Sequence, residues 1–325
     1  MMKIALWIET KWGFGRFARV IQKYSRHTID IADWSKPYQR DHFIGYDLVY
    51  TPVWYTCAQF RCFYPTPGVP VTFSIRGLAE LFNYNLAAKG QRITNQEEVE
   101  HCRLLNEVRD YLNAQKIVSC VSRELVNLLR SQVTCELFHT PAGVEINEFY
   151  HPIQVKDSNI LTVLCPFAQS IPWSKIHGYD VKRWGLVDQI RSMLPDTIQF
   201  LCLSRMYELE EMPLFYRQGD VILCLSHAEG NPYSLMEGGA AGAAPLSTVV
   251  GIAPELIQSG FNGQLLLQQD NEKLVIEAAD MLKRWQANTD DLLQMRQNYQ
   301  AMILATRGWE SVVPRWDDFF EGAVQ

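Results

Sequence analysis

Two glutamates eight positions apart, Glu229 and Glu237, stand on either side of a Gly230-Asn231-Pro232 turn. Carboxylates accept hydrogen bonds from hydroxyl groups, so their placement decides what they could hold. Upstream, Val221-Ile222-Leu223-Cys224-Leu225 is a short apolar, partly β-branched run that reads as a buried strand. Downstream, Asn231 suits an N-cap and Pro232 the first helical position, where a missing N–H costs nothing. The helix is then expected to run through Tyr233, Ser234, Leu235, Met236 and Glu237 and to end near Gly242. The amides of Tyr233, Ser234 and Leu235 would lie in its first turn, where backbone N–H groups can hold an anion such as a diphosphate. Glu229 falls at the strand tip and Glu237 about a turn and a half into the helix. Two hydroxyl acceptors flanking an anion site suit a nucleotide-sugar.

The elements that must position these groups follow from the rest of the chain. Its 325 residues fit two domains of about 150 each. With 47% apolar and 20% charged residues, two buried cores are within reach and disorder is not expected. Strands are expected at Lys3–Ile8, Asp47–Tyr50, Val69–Ser74, Ile117–Val121 and Glu136–His139, alternating with helices at Arg16–Tyr24, about Gln96–Leu112 and Arg123–Arg130. Leu78–Thr94 reads as an irregular lid or acceptor loop. Around residues 150–158 periodicity is lost and Pro152 intervenes, which marks a linker. Strands resume at Ile160–Cys165, Ile198–Leu203, Val221–Leu225, Ala244–Ser247 and Gly263–Leu267, with helices at Lys182–Met193, Pro232–Ala241 and Asn271–Trp285. This rhythm predicts an α/β protein with two Rossmann-like parallel-sheet domains, residues 1–152 and 153–307, facing each other across a ligand-binding cleft. Trp309, Val312, Val313, Trp316, Phe319 and Phe320 recur at helical spacing, with Pro314 expected to kink the helix. Residues 308–325 are therefore expected to cross back and pack on the first domain.

Composition narrows the setting. No run approaches the ~18–20 apolar residues of a membrane helix, and the first residues read as a strand, not a signal peptide. The eight cysteines form no CxxC pair and read as free thiols, so a cytoplasmic protein is expected. Residues 1–152 carry 17 Lys+Arg against 15 Asp+Glu, and residues 153–325 carry 13 against 21. Only the first half could host an acidic partner.

The second half resembles the retaining GT-B glycosyltransferases of family four, the glycosyl transferases group 1. Their signature takes the form S-x-x-E-G-x-P-x-x-x-x-E, then A-A-G-x-P, then G-x-x-E-x-I-x-x-G-x-N-G. Here Ser226-His227-Ala228-Glu229-Gly230-Asn231-Pro232 runs on to Glu237. Ala240-Ala241-Gly242-Ala243-Ala244-Pro245 follows, one residue longer than usual. Gly251-Ile252-Ala253-Pro254-Glu255-Leu256-Ile257 and Gly260-Phe261-Asn262-Gly263 complete the series. Earlier, Pro141-Ala142-Gly143-Val144-Glu145 with Phe149 is similar to the family's P-N-G-V-D-x-x-x-F. The resemblance implies a nucleoside-diphosphate sugar donor, UDP- or GDP-linked, held mainly by the second domain. It implies that Glu229 accepts donor-sugar hydroxyls and Glu237 the ribose hydroxyls. The stretch Gly230, Asn231, Pro232, Tyr233, Ser234 and Leu235 would hold sugar and distal phosphate. Base contacts are expected from backbone near Leu203–Met206.

Two departures qualify it. The family's phosphate grip is an arginine followed five residues later by a lysine before glycine. Here Lys175 precedes Ile176-His177-Gly178, but Ser170 stands in the arginine's place, so half of the usual charge neutralisation is either missing or supplied from elsewhere, with Arg205 and Arg16 the candidates. Where the family often has S/T-x-H-G/D near the reacting sugar, this chain has Ser74-Ile75-Arg76-Gly77. Arginine cannot act as a base, so Arg76 either stabilises leaving phosphate or orients the acceptor, or it is a structural arginine paired with a carboxylate such as Glu80. Gly13-Phe14-Gly15-Arg16 follows the first strand, where a lone G-x-G says little by itself; the resemblance implies that this loop contacts the donor's phosphate side, which makes Gly15 and Arg16 candidates.

No Asp-x-Asp occurs, and no metal or other cofactor is expected; lysine, arginine and helix amides would meet the leaving charge. The family's reaction transfers a sugar to a hydroxyl with retention, the departing phosphate taking the acceptor's proton. Arg16, Arg19, Lys23 and Arg26 share one face of the first helix, which is either a solvated face or a contact for a membrane surface or polyanion. The acceptor is then a cell-envelope, capsular or lipid-linked glycan, or a hydroxymethylated base of phage-type modified DNA. Two further readings are a sugar-nucleotide-binding protein without turnover and, less supported by the motifs, an epimerase of the same architecture.

Overall fold

The structure is a computed structural model that describes residues 1–10, 12–36, 41–52, 68–76, 106–154, 159–167, 181–203 and 209–325. Lys175, Arg205, Glu80 and the Leu78–Thr94 segment lie outside the described residues. The described chain forms two compact units. One gathers the N-terminal residues up to Ala142 together with Trp309–Gln325; the other holds Gly143–Gly308.

The first unit is built on a six-stranded parallel sheet of order β2-β1-β3-β4-β5-β6. Its strands are β1 (Lys3–Ile8), β2 (Thr28–Asp33), β3 (Leu48–Thr51), β4 (Val71–Ile75), β5 (Ile117–Cys120) and β6 (Glu136–His139). Among the described residues, α1 (Trp12–Tyr24), α2 (Asn106–Asn113) and α3 (Arg123–Leu129) alternate with them. β1, β3 and β5 are buried nearly end to end, as strands covered on both faces must be. β2 was not expected from the sequence. Its Thr-Ile-Asp-Ile-Ala-Asp run alternates apolar with polar groups, and as an edge strand paired only with β1 it tolerates that.

The second unit carries a five-stranded parallel sheet of order β11-β10-β9-β7-β8. Its strands are β7 (Leu161–Cys165), β8 (Ile198–Cys202), β9 (Val221–Cys224), β10 (Ala244–Thr248) and β11 (Gln264–Leu266). The helices that matter to the site are α4 (Ile146–Phe149), α5 (Trp184–Ser192), α6 (Met212–Tyr216), α7 (Tyr233–Ala240) and α8 (Ala253–Leu256). Two long helices close the unit, α9 (Asn271–Ala287) and α10 (Thr289–Thr306). The helix α10 was not foreseen. Its inner positions Leu292, Arg296, Tyr299, Gln300 and Ile303 have helical spacing, but two of them are polar. Those two are satisfied inside. Arg296 pairs with Asp220 at 2.9 Å and bonds the Gly242 carbonyl at 2.7 Å. Gln300 bonds the Ala240 carbonyl at 2.8 Å.

In both sheets one strand is flanked by its next neighbour on one side and by the strand after that on the other. β1 lies between β2 and β3, and β7 lies between β8 and β9. The connections therefore leave in opposite directions at β1/β3 and at β7/β9, and open α/β sheets bind ligands at the carboxyl ends of such strands.

The last helix, α11 (Trp309–Val324), belongs to the first unit and continues through Pro314. Pro314 removes one intrahelical hydrogen bond but does not end the helix. Trp316 packs 4.6 Å from the Phe17 ring of α1, and Phe320 lies 5.5 Å from Tyr50 of β3. The Trp316 indole donates to the Pro141 carbonyl at 3.0 Å, which satisfies its polar edge in the core. No helix among the described residues is long and apolar enough to cross a membrane.

Candidate active site at the carboxyl ends of the strands

Within the second unit, β9 is wholly buried and ends at Cys224, so the chain emerges at Ser226 directly above the sheet. The emerging turn is held from two sides. The Thr248 hydroxyl, at the end of β10, donates to the Ser226 carbonyl at 2.8 Å. The Ile252 amide donates to the Gly230 carbonyl at 3.1 Å. That second contact depends on Gly251, which has φ near +50°; a Cβ there would lie 2.1 Å from the Gly230 carbonyl oxygen. The motif glycine thus lets two loops touch backbone to backbone.

The turn presents Glu229, whose carboxylate is 15% exposed. Its Oε1 accepts a hydrogen bond from the Ser226 hydroxyl at 2.7 Å and a short ion-paired one from Lys182. Lys182 lies just before α5, after β7, so the pair spans the β7/β9 divide. Burial works against the Lys182 ammonium, but the Glu229 carboxylate outweighs it through charge and hydrogen bond and raises the lysine's pKa.

Asn231 and Pro232 follow. The helix begins one residue later than expected: α7 starts at Tyr233, Pro232 is the cap residue, and no side chain caps it. Asn231, expected as the N-cap, instead buries its side-chain oxygen Oδ1 without a hydrogen-bond partner among the described residues. The Leu235 amide is already used, donating to the Pro232 carbonyl at 3.0 Å. Tyr233 and Ser234 are left as the first helical amides with no intrahelical acceptor. Glu237 lies on the buried side of α7 at 6% exposure. The helix can press onto the sheet because Gly238 faces Ile222 of β9, and onto α10 because Gly239 faces Tyr299; added Cβ atoms there would come within 2.9 and 2.5 Å. It ends at Ala240, with Gly242 at φ +90° just beyond, near where the sequence places its stop.

Three residues that sequence reasoning missed complete this site: Lys182, Arg183 and the ring of His227. The signal was present. Lys182-Arg183 opens a helix, where basic charge opposes the helix dipole, and such a placement asks for a nearby acceptor.

In the first unit, Gly15 and Arg16 lie in the first turns of α1, immediately after β1. A Cβ on Gly15 would fall 2.0 Å from the Thr10 carbonyl oxygen, so this glycine also marks a close backbone approach. Arg16 is buried. Arg76 follows β4. Its guanidinium lies 4.9 Å from both the Phe14 and the Phe17 ring centroids, and its Nε donates to the Pro52 carbonyl at 3.1 Å. Its NH2 group lies 3.5 Å from the Tyr50 hydroxyl. Of the four basic residues expected along α1, Arg16 is turned inward. Arg26 pairs with Asp318 at 2.9 Å and Glu321 at 2.8 Å of α11 while staying exposed, as Arg19 and Lys23 are.

With this geometry in view, comparison with known proteins is informative. Residues 194–301 match the family model described as glycosyl transferases group 1. No curated protein sequence matches. Among solved structures, sucrose-phosphate synthase of Thermosynechococcus elongatus superposes with a TM-score of 0.69 at 15% identity, covering 99% of this chain and 98% of that one. HepE of Anabaena, solved in complex with UDP-glucose, gives 0.68 at 12% identity, covering 99% and 100%. A glycosyltransferase of Rickettsia africae gives 0.65 at 14% identity, covering 100% and 99%. At these identities the likeness is one of fold, and the fold is GT-B.

Proposed function

We propose that this chain is a glycosyltransferase that moves a sugar from a nucleoside-diphosphate sugar to a hydroxyl acceptor, with retention at the anomeric carbon. The observation that carries the reading is the grouping at the end of β9: Glu229 held by Ser226 and Lys182, beside the open amides of α7 and the unpartnered Asn231 oxygen. Both contacts to Glu229 fall on Oε1, so Oε2 is the oxygen to accept donor-sugar hydroxyls. Lys182 is the cation that a phosphate would share with Glu229, and the Tyr233 and Ser234 amides add hydrogen bonds to the same anion. Glu237 is assigned to the ribose. Lys175 and Arg205 stay candidates for the diphosphate, with Gly15 and Arg16 on the phosphate side.

The chemistry follows from these groups. Leaving diphosphate gains negative charge as the glycosidic bond breaks, and fixed donors already aimed at it lower the barrier without reorganising. The acceptor's proton passes to the departing phosphate oxygen, so no protein base is required and the ionised Arg76 is compatible with the reaction. One structural relative, HepE, was solved in complex with UDP-glucose and with UDP, which supports a UDP-linked donor. A glycan or lipid-linked glycan is the acceptor class we assign, with the hydroxymethylated base of modified DNA as the alternative.

The test is turnover and binding measured on one set of variants. Glu229→Gln and Lys182→Ala are each expected to cut nucleoside diphosphate release from the donor by more than about tenfold, at unchanged circular dichroism. Near-normal release in both variants sinks the assignment. Tight donor binding with no release by the wild-type protein, with or without acceptor, would instead make it a sugar-nucleotide-binding protein.

A further inference from the structure

Among the described residues Arg183 is the one non-glycine with a left-handed backbone, at φ 51° and ψ 43°. Such a conformation crowds any side chain that carries a Cβ, and glycine would adopt it without strain. Arg183 is also 4% exposed, so a long charged side chain is buried at a strained position. Strain and desolvation together require that its side chain be held by something specific.

The holding group is His227. The Arg183 guanidinium lies 2.6 Å from His227 Nδ1 and reaches the Gln269 carbonyl at 3.5 Å. A guanidinium is always a donor, so the imidazole nitrogen facing it must carry a lone pair. His227 is therefore neutral, with its proton on Nε2. The backbone repeats the connection on the other side of Lys182, where the His227 amide donates to the Val181 carbonyl at 2.9 Å. Lys182 is thus flanked by two residues that both grip His227, and between these grips it meets Glu229. The left-handed turn sends neighbouring side chains in different directions, Lys182 to the carboxylate and Arg183 to the imidazole.

We propose that Arg183 is a positioning residue for the nucleotide-sugar: by clamping His227 in its Nε2–H form it joins the segment before α5 to the Glu229 turn and fixes Lys182 where the donor's diphosphate binds. This rests on the reading of Lys182 and Glu229 as the donor end of a transferase. The effect of Arg183 passes through its neighbour Lys182 and through His227.

The test uses the full chain, with UDP and GDP as probes in titration calorimetry, and nitrogen NMR of the His227 ring. Arg183→Ala keeps the Cβ in the left-handed position and removes the clamp; Arg183→Gly removes both clamp and strain. Both are expected to weaken the nucleotide that binds better by about tenfold, the size of a lost hydrogen bond from a charged group. Both are expected to erase the fixed Nε2–H signature, with the glycine variant melting higher than the alanine variant. Arg183→Lys should restore part of each. A merely structural arginine would give an Arg183→Gly protein that binds like the wild type with the His227 signature unmoved, and that result overturns the inference. So does an Nδ1–H tautomer in the wild type. If Lys182→Ala loses nucleotide binding while Arg183→Gly keeps it, this inference falls alone. If neither probe binds the wild type, it falls together with the functional reading.

Discussion

The carboxyl ends of the two sheets treat a half-buried cation in opposite ways. At the end of β9, the Lys182 ammonium is set against a carboxylate, and a phosphate can take the carboxylate's share of it. At the end of β4, the contacts of Arg76 among the described residues include two ring faces and a backbone carbonyl, groups that a ligand does not readily displace. The first arrangement is a charge with an exchangeable partner, suited to binding and releasing an anion. The second is a charge fixed in place, suited to aiming a field or orienting a neighbour without itself changing partners. The same strand-and-helix layout has thus been furnished with one responsive cation and one static one, and each can be attacked separately.

The largest effect is expected from the support under the responsive site. Gly251→Ala puts a Cβ 2.1 Å from the Gly230 carbonyl oxygen and 2.8 Å from that of Glu229, at a φ of +50°. Neither backbone can yield without moving the turn that carries Glu229. A loss of about 3 kcal/mol, from overpacking and left-handed strain together, should appear in chemical denaturation. Nucleotide binding should fall with it. An unchanged midpoint would mean that the Glu229 turn is soft, and the contrast between the two sites would then lose its basis.

Much of this site could be read in the sequence because its geometry is local. The Gly230-Asn231-Pro232 turn, the strand before it and the helix after it are consecutive, and α7 starts within one residue of the expected position. What could not be read was pairing across the sheet. Lys182 and Glu229 are 47 positions apart and meet only because β7 and β9 are neighbours in the observed strand order. The cap was misassigned for a related reason: Asn231 has the chemistry of an N-cap, and tertiary placement turned its side chain elsewhere. In the first unit, β2 escaped notice because an edge strand needs apolar residues on one face only. The inward turn of Arg16 was hidden by a charge pattern that any solvated helix face would share.

The static site should respond more mildly. Arg76→Met fills the space between Phe14 and Phe17 with a side chain of similar length and deletes the charge. We expect a stability loss of about 1–2 kcal/mol, the scale of cation–π contacts sheltered from water. If Arg76 also orients acceptor or leaving phosphate, turnover should drop further than stability predicts, while nucleotide affinity stays near that of the wild type. A variant that loses affinity as much as turnover would place Arg76 in nucleotide binding and collapse the distinction between the two cations.

The smallest effect is expected at a third cation, which shows what solvent does to the same chemistry. Arg26 bonds Asp318 and Glu321 at distances as short as those inside the molecule, and these partners raise its pKa. Its side chain is nevertheless 46% exposed, and the two carboxylates are 59% and 37% exposed. Water and salt screen such pairs, so Arg26→Ala should cost about 1 kcal/mol or less at low ionic strength and less still in salt. The Lys182 pair, at 22% and 15% exposure, should keep more of its interaction under the same salt. The Arg26 charge is also engaged with α11 and is poorly placed to serve a membrane or polyanion. Pelleting with anionic vesicles should therefore change little in Arg26→Ala, and a clear loss of pelleting would restore a basic face on α1 as a docking surface.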